Sequence, residues 1–447
     1  MLSDQPYPRR RSAASPITTG RDAIQGRMPA VDTSEARAAA TGGGRVPALD
    51  GFRGYAILGV VAIHLLGVSG VLAATAGTGT GVALWAAFSN SIDAFFIISG
   101  FVLFLPAVRR GGELGGKARF WIGRAARLFP AYWLVLAIGA LLPLLGPRWA
   151  GGVTPSAADI ATHLAILQMP MALLDGTFRI GFGTNGPLWA LSIIAGFYLV
   201  LPFIAGRYYR HPLLGLAAAA AVTIAWKQAV DWAPWIFESL STRPPQAVAG
   251  VAVDQFPGWA FSFGLGMTSA WAYERLTATV APGRLGRYAG LALLVAVPIY
   301  PFAAYLYARV ALTSGGNIGP IARQDTFASM LQTTMRGAII LAVACAPLWL
   351  QRPFANRITD RLAELSYGVY LVHWLLVMYL FTFAGLPTDG TALAFLAWVA
   401  AVVPASLLFA AASRRWLELP VQSWVRRRLN APPRPDRPIS AEASAPP

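Results

Sequence analysis

Cysteine is almost absent from this 447-residue chain: Cys345 stands alone, which excludes an intrachain disulfide and any cysteine-rich metal site. Histidine is nearly as scarce. His64, His163, His211 and His373 lie far apart, and none falls in an HExxH or similar ligand spacing, so no metal is implied. Charge is sparse as well, at 13% of residues, where an ordinary soluble domain carries about 25%. Hydrophobic residues make up 56% of the chain instead. A bilayer solvates such an excess and water does not.

Acidic residues number 20 against 36 lysines and arginines, a net charge of +16. In a soluble chain that surplus would suggest nucleic acid. Here the charges are segregated: long apolar stretches carry almost none, and arginine collects in the short segments between them. That distribution reads as topology, with cations meeting anionic headgroups, and no nucleic-acid partner is expected. Residues 1–47 hold seven arginines among Ala, Gly, Ser, Thr and Pro, and lack the apolar core of a signal peptide. They are expected to form a disordered cytosolic tail, as are residues 431–447. Residues 48–430 are the expected transmembrane domain.

Apolar segments of about 20 residues, long enough to cross, fall at 54–73, 83–106, 128–146, 187–206, 212–231, 256–274, 288–308, 336–350, 366–385 and 391–412. The eighth is short and extends backward past Arg336, which then lies near an interface. Residues 158–173 are too short and polar to cross and read as an interfacial or re-entrant helix. With the N-terminus in the cytosol, all but seven of the 36 basic residues fall on the cytosolic side, the exceptions being Arg148, Arg179, Lys227, Arg243, Arg309, Arg323 and Arg336. The fold class that follows is all-α: a polytopic integral membrane protein of about ten transmembrane helices, both termini cytosolic.

Several polar residues sit where hydrocarbon should reject them. Asp50 and Arg53, three positions apart at the mouth of the first span, share a helix face. His64 is eleven positions beyond Arg53, very nearly three turns on and about 16 Å deeper. An imidazole near mid-membrane faces the bundle interior or a cavity and exchanges a proton near neutral pH, so a catalytic role outweighs structural packing. Asp93, in NSIDAFFIISGFVLF on the second span, requires a partner, either His64 or an arginine of another helix. Ser99 and Gly100 in the same run permit close backbone approach. Arg124 and Arg127 in FWIGRAARLFPAYW are one turn apart; with Arg53 they form a cationic mouth suited to phosphates or a carboxylate. His373, in ELSYGVYLVHWLLVMY, is also intramembrane and belongs either to packing or to the site.

Together these runs resemble the acyltransferase 3 family of membrane proteins. The opening stretch LDGFRGYAILGVVAIH supplies Asp50, Gly51, Arg53, Ala56 and His64. FFIISGFVLF follows at 95–104, then Arg124, Arg127, Pro130, Tyr132 and Trp133, NGPLW at 185–189, SYGVYLVHW at 366–374, and Trp416, Glu418 and Pro420. Six motifs in order over residues 49–420 make the resemblance specific. One departs from it: relatives carry a glutamate where LWALSIIAGFYL has Ile194.

The resemblance implies an acyl-CoA-dependent O-acyltransferase, multi-pass in the plasma membrane of a bacterium. It would move a short acyl group from cytosolic acyl-CoA to a hydroxyl of a glycan, glycolipid or glycosylated small molecule. His64 would be the general base, with Asp93 polarising it and Ser99 steadying the oxyanion. Arg53, Arg124 and Arg127 would hold the donor's phosphates, with Asp50 ordering Arg53. The oligomeric state is left open. A transporter could also use ten spans and buried ionisable groups, but it would predict an internal repeat, and none is visible. An inactive, binding-only relative is the other reading, because of Ile194.

Overall fold

The computed structural model describes residues 45–145, 154–183, 185–313 and 323–430. The expected terminal tails lie outside these residues except for 45–47, where Pro47 opens the first helix in the position where a missing amide hydrogen costs nothing. The principal helices are α1 (Pro47–Val68), α2 (Gly79–Phe88), α3 (Ser91–Val108), α4 (Lys117–Leu141), α5 (Ala157–Leu164), α6 (Gln168–Leu174) and α7 (Trp189–Arg210). They continue as α8 (Pro212–Trp232), α9 (Ala260–Thr279), α10 (Pro282–Thr313), α11 (Arg323–Cys345), α12 (Arg357–Phe383), α13 (Ala392–Ser413) and α14 (Leu419–Asn430). Among the described residues there is no β-strand, as expected where a backbone without water must satisfy its own hydrogen bonds.

Nine helical stretches among the described residues are long and apolar enough to cross a membrane, one fewer than the ten expected. The difference is the sixth expected segment, 256–274. It folds mostly into α9, which has the length but is diluted by Ser262, Thr268, Ser269, Glu274 and Arg275. This helix packs along α3 and α8. Its hydroxyls are satisfied by neighbouring helices, Ser262 by Asp93 of α3 and Thr268 by Tyr208 of α7, and a helix with protein neighbours needs fewer apolar side chains than one facing lipid.

The expected second span is two helices, α2 and α3, meeting at Ser89 and Asn90. The expected eighth does extend backward past Arg336, as α11, and Arg336 lies inside this helix with its side chain buried. Residues 158–173 become α5 and α6, eight and seven residues long and unable to cross. A capping box between Ser156 and Asp159 starts α5, and a second one between Asn356 and Thr359 starts α12.

The core is organised around α1, which touches α2, α3, α11, α12 and α13. Its longest partner is α12, so residues on these two helices face each other through the membrane interior. The α3–α9 pair is held tighter still by glycine. A Cβ placed on Gly266 would lie 2.0 Å from the Ile97 carbonyl oxygen, and one on Gly100 would lie 2.3 Å from that of Phe263. Only a residue without a side chain fits between backbones so close. Gly266→Val should therefore push α3 and α9 apart and destabilise the protein by about 1–3 kcal/mol. Thermal unfolding in detergent measures this, and an unchanged melting temperature would refute the packing argument.

Candidate active site

The long α1–α12 contact brings two histidines together. Nδ1 of His64 lies 2.9 Å from Nε2 of His373, with the rings nearly parallel, 5.1 Å apart and 15° from coplanar. The Trp374 ring closes one side, edge-on at 5.0 Å. His373 is fully buried and His64 half-buried.

The hydrogen bonds assign the protons. Nδ1 of His373 lies 2.7 Å from the Tyr370 carbonyl and 3.2 Å from that of Val369. Carbonyls only accept, so this nitrogen carries the hydrogen and Nε2 carries a lone pair. Nδ1 of His64 must then be the donor between the rings. That leaves Nε2 of His64 unprotonated, with no hydrogen-bond partner among the described residues, as a base would require. His373 lay between packing and site in the sequence; its geometry makes it the partner of His64.

Asp93 is elsewhere. Its carboxylate is fully buried and takes Nη1 of Arg336 at 2.6 Å, the Thr333 hydroxyl at 2.9 Å and the Ser262 hydroxyl. Nη2 of Arg336 donates onward to Tyr300 at 2.7 Å. Of the two partners that the sequence allowed Asp93, the arginine of another helix is the one observed, and the expected contact with His64 is not made. The signal for Arg336 was an arginine inside an apolar run. Ser99 is half-buried and its side chain makes no hydrogen bond among the described residues. Gly100 beside it provides the close approach to α9.

Eleven positions before His64 on the same unbroken helix, Arg53 reaches Asp50 at 3.9 Å, so the depth of about 16 Å between mouth and imidazole holds. Arg124 and Arg127 are on α4. The guanidinium of Arg124 lies 5.7 Å from the Phe120 ring, and its buried Nε has no partner. Arg127 is exposed and interacts electrostatically with Glu418. Tyr367 of α12 donates to the Leu128 carbonyl at 2.6 Å, joining the arginine-bearing helix to the histidine-bearing one.

A second group of residues docks the segment before α7 against α12 and α6. Asn185 donates to the Leu371 carbonyl at 2.8 Å, Tyr370 donates to the Pro187 carbonyl, and Gln168 donates to that of Leu188 at 3.0 Å. Oδ1 of Asn185 and Oε1 of Gln168 are buried without a partner. Asn185 and Pro187 belong to NGPLW, a motif visible in sequence; Gln168 carried no such signal. Ile194, where the family resemblance led to the expectation of a glutamate, is half-buried against the core. Two positions earlier, Ser192 satisfies the carbonyl of Ile166 at 2.8 Å.

His163 secures this segment from below. Its Nδ1 donates to the Asp159 carbonyl at 2.7 Å, and its Nε2 accepts from the Gly181 amide at 2.9 Å. Gly181 and Phe182 both have φ near +60°, so the turn depends on outside bonds to hold it. Burial pushes His163 below its ordinary value of 6.5, against the opposing pull of the Asp159 carbonyl and carboxylate.

Two outcomes follow. Because the folded state holds His163 neutral, its stabilising contribution is complete above pH 6.5 and is lost as the pH falls and the unfolded form takes up a proton. Hydrogen exchange at the Gly181 amide should accelerate below that pH in wild type and be pH-independent, beyond the intrinsic rate, in His163→Gln. Separately, Asp93→Ala strands a buried guanidinium and should cost about 3–5 kcal/mol, much of it recovered in Asp93→Leu with Arg336→Met. Unfolding in mixed micelles tests this, and equal stability of the single and double variants would contradict it.

A family model described as an acyltransferase domain matches residues 46–415. YrhL of Bacillus subtilis (strain 168) is 24% identical over 348 residues, covering 74% of this chain and 48% of that protein. The peptidoglycan O-acetyltransferase OatA of Listeria monocytogenes serovar 1/2a is 23% identical over 350 residues, covering 74% and 49%. The acyltransferase MdmB of Streptomyces mycarofaciens is 24% identical over 343 residues, covering 75% and 80%. The chain thus spans about half the length of YrhL and OatA and most of MdmB. No solved structure matches it. The match runs from the start of α1 to the end of α13 and includes both histidines and the arginines of α1 and α4, and by it the chain belongs to the acyltransferase 3 family of membrane acyltransferases.

Proposed function

We propose that the protein transfers a short acyl group from cytosolic acyl-CoA to a hydroxyl of a glycan, glycolipid or glycosylated small molecule, in the inner membrane of a bacterium and with both termini cytosolic. The observation that carries the reading is the His64–His373 pair, whose hydrogen bonds leave Nε2 of His64 as a free base. OatA, a peptidoglycan O-acetyltransferase, is a relative acting on a cell-envelope polymer, which favours a sugar hydroxyl as acceptor.

The charged nucleotide end of the donor stays at the cytosolic mouth, where Arg53 and Arg127 carry positive charge and the buried Nε of Arg124 lacks an acceptor. Asp50 orders Arg53. The pantetheine arm spans the remaining depth to His64. Nε2 takes the acceptor's proton as its oxygen attacks the thioester carbonyl; the new C–O bond forms, the C–S bond breaks, and the proton passes to the leaving thiolate. His373, held by the Tyr370 carbonyl, fixes the His64 tautomer and spreads the imidazolium charge as it forms; it is a positioning residue. In this reading Asp93, ion-paired with Arg336, holds α3 and α11 together, and Ser99 takes no part in the proton transfer.

Purified protein supplied with acyl-CoA and an envelope glycan extract should release free CoA. His64→Ala should lower kcat by ~10²–10⁴ with CoA binding retained. Arg53→Ala and Arg124→Ala should mainly raise KM for the donor, by about tenfold each. His373→Gln should shift the pH profile of kcat and leave KM in place. Full turnover by His64→Ala would end this mechanism.

A further inference from the structure

A cavity of about 570 Å³ lies between α7, α8 and α9, away from the histidine pair. Its wall is apolar along most of its length, including Phe197, Ile204, Val222 and Phe263. Phe203 and Leu214 line it too and are largely exposed, so it opens to the bilayer and not into the core. Its floor exists because α8 is built from small residues here. A Cβ on Gly215 would fall 2.5 Å from the Tyr208 ring, and one on Gly264 would fall 2.7 Å from Cβ of Ala219.

One end differs from the rest. Arg207 and His211, one turn apart at the end of α7, line it and are exposed. Nζ of Lys117, at the start of α4, stands 4.1 Å from the centre of the Phe203 ring. Arg207 forms no ion pair among the described residues. Arg207 and His211 therefore line the end of the groove that the charge distribution puts in the cytosol, and Lys117 stands over Phe203, one turn of α7 before Arg207. From Arg207 back to Phe197 is ten residues of α7, about 15 Å, half of a hydrocarbon core of about 30 Å. The groove is as deep as one leaflet.

We propose that this groove is a binding site for an anionic phospholipid of the cytosolic leaflet. One acyl chain lies between α7, α8 and α9, and the headgroup phosphate is held by Arg207, His211 and Lys117. An apolar groove facing lipid would accept any chain; the cationic end is what selects the headgroup, since a guanidinium and an ammonium at the interface gain from a net negative lipid and not from a zwitterionic one. None of the residues assigned to the donor or to the proton transfer lines the groove.

The test is native mass spectrometry of the full-length protein, released from vesicles containing phosphatidylglycerol and phosphatidylcholine with identical chains. Wild type should retain one phosphatidylglycerol in preference to phosphatidylcholine. Arg207→Gln with His211→Gln should lower that preference by about tenfold, the loss expected for charge-assisted hydrogen bonds. Ala218→Phe, which fills the groove from its exposed side, should reduce retention of both lipids. Melting temperatures close to wild type establish that the variants fold. Equal retention of the two lipids by wild type, or a preference unchanged in the double variant, would overturn the proposal.

Discussion

Hydrocarbon offers no water to a polar group, and this one constraint ties the arrangement of the bundle together. Asp93 is fully buried and would be intolerable alone; Arg336, Thr333 and Ser262 satisfy it from two other helices. The arginine continues the chain to Tyr300 on a third. Such pairs need not add net stability compared with apolar residues of the same shape. They are intolerant of separation, however, and so they fix which helices are neighbours. The same rule joins α12 to α4 through Tyr367 and to the segment before α7 through Tyr370 and Asn185.

The histidine pair obeys that constraint and leaves something over. His373 is satisfied at both nitrogens, one by a helix carbonyl and one by His64. His64 is satisfied at one nitrogen only. A buried polar network that is complete except for one basic atom is inert scaffold at every position but that one, and the atom lies about 16 Å along α1 from Arg53. Depth matters to the chemistry. In the proposed reaction a thioester brought there would leave water behind, so that fixed dipoles and the imidazole would meet the developing charge in a medium that does not screen them.

The groove between α7, α8 and α9 is built by different means. Glycine and alanine on α8 and α9 let the helices come close at the floor, and bulky apolar residues on α7 stand apart above it. Where α3 and α9 meet without a groove, glycines face carbonyls directly. Whether small residues close a gap or frame one depends on what stands beside them.

Much of the fold was legible from composition and spacing, because the cost of charge in hydrocarbon acts on each segment by itself: the membrane class, the helical state and most spans could be read one stretch at a time. The exception was α9, whose polar residues are tolerated because its neighbours are protein. Of the candidate site, His64 and Arg53 were legible because helical periodicity fixes positions along a single helix. Which group would pair with His64 was not, since His373 is 309 positions away and no local pattern records which faces of α1 and α12 meet. For the same reason the sequence allowed Asp93 either a histidine or an arginine, and tertiary packing chose Arg336. A sequence determines alone what each helix can bury and what it must shed; partners across helices, and the proton positions that follow from them, exist only once the helices are packed.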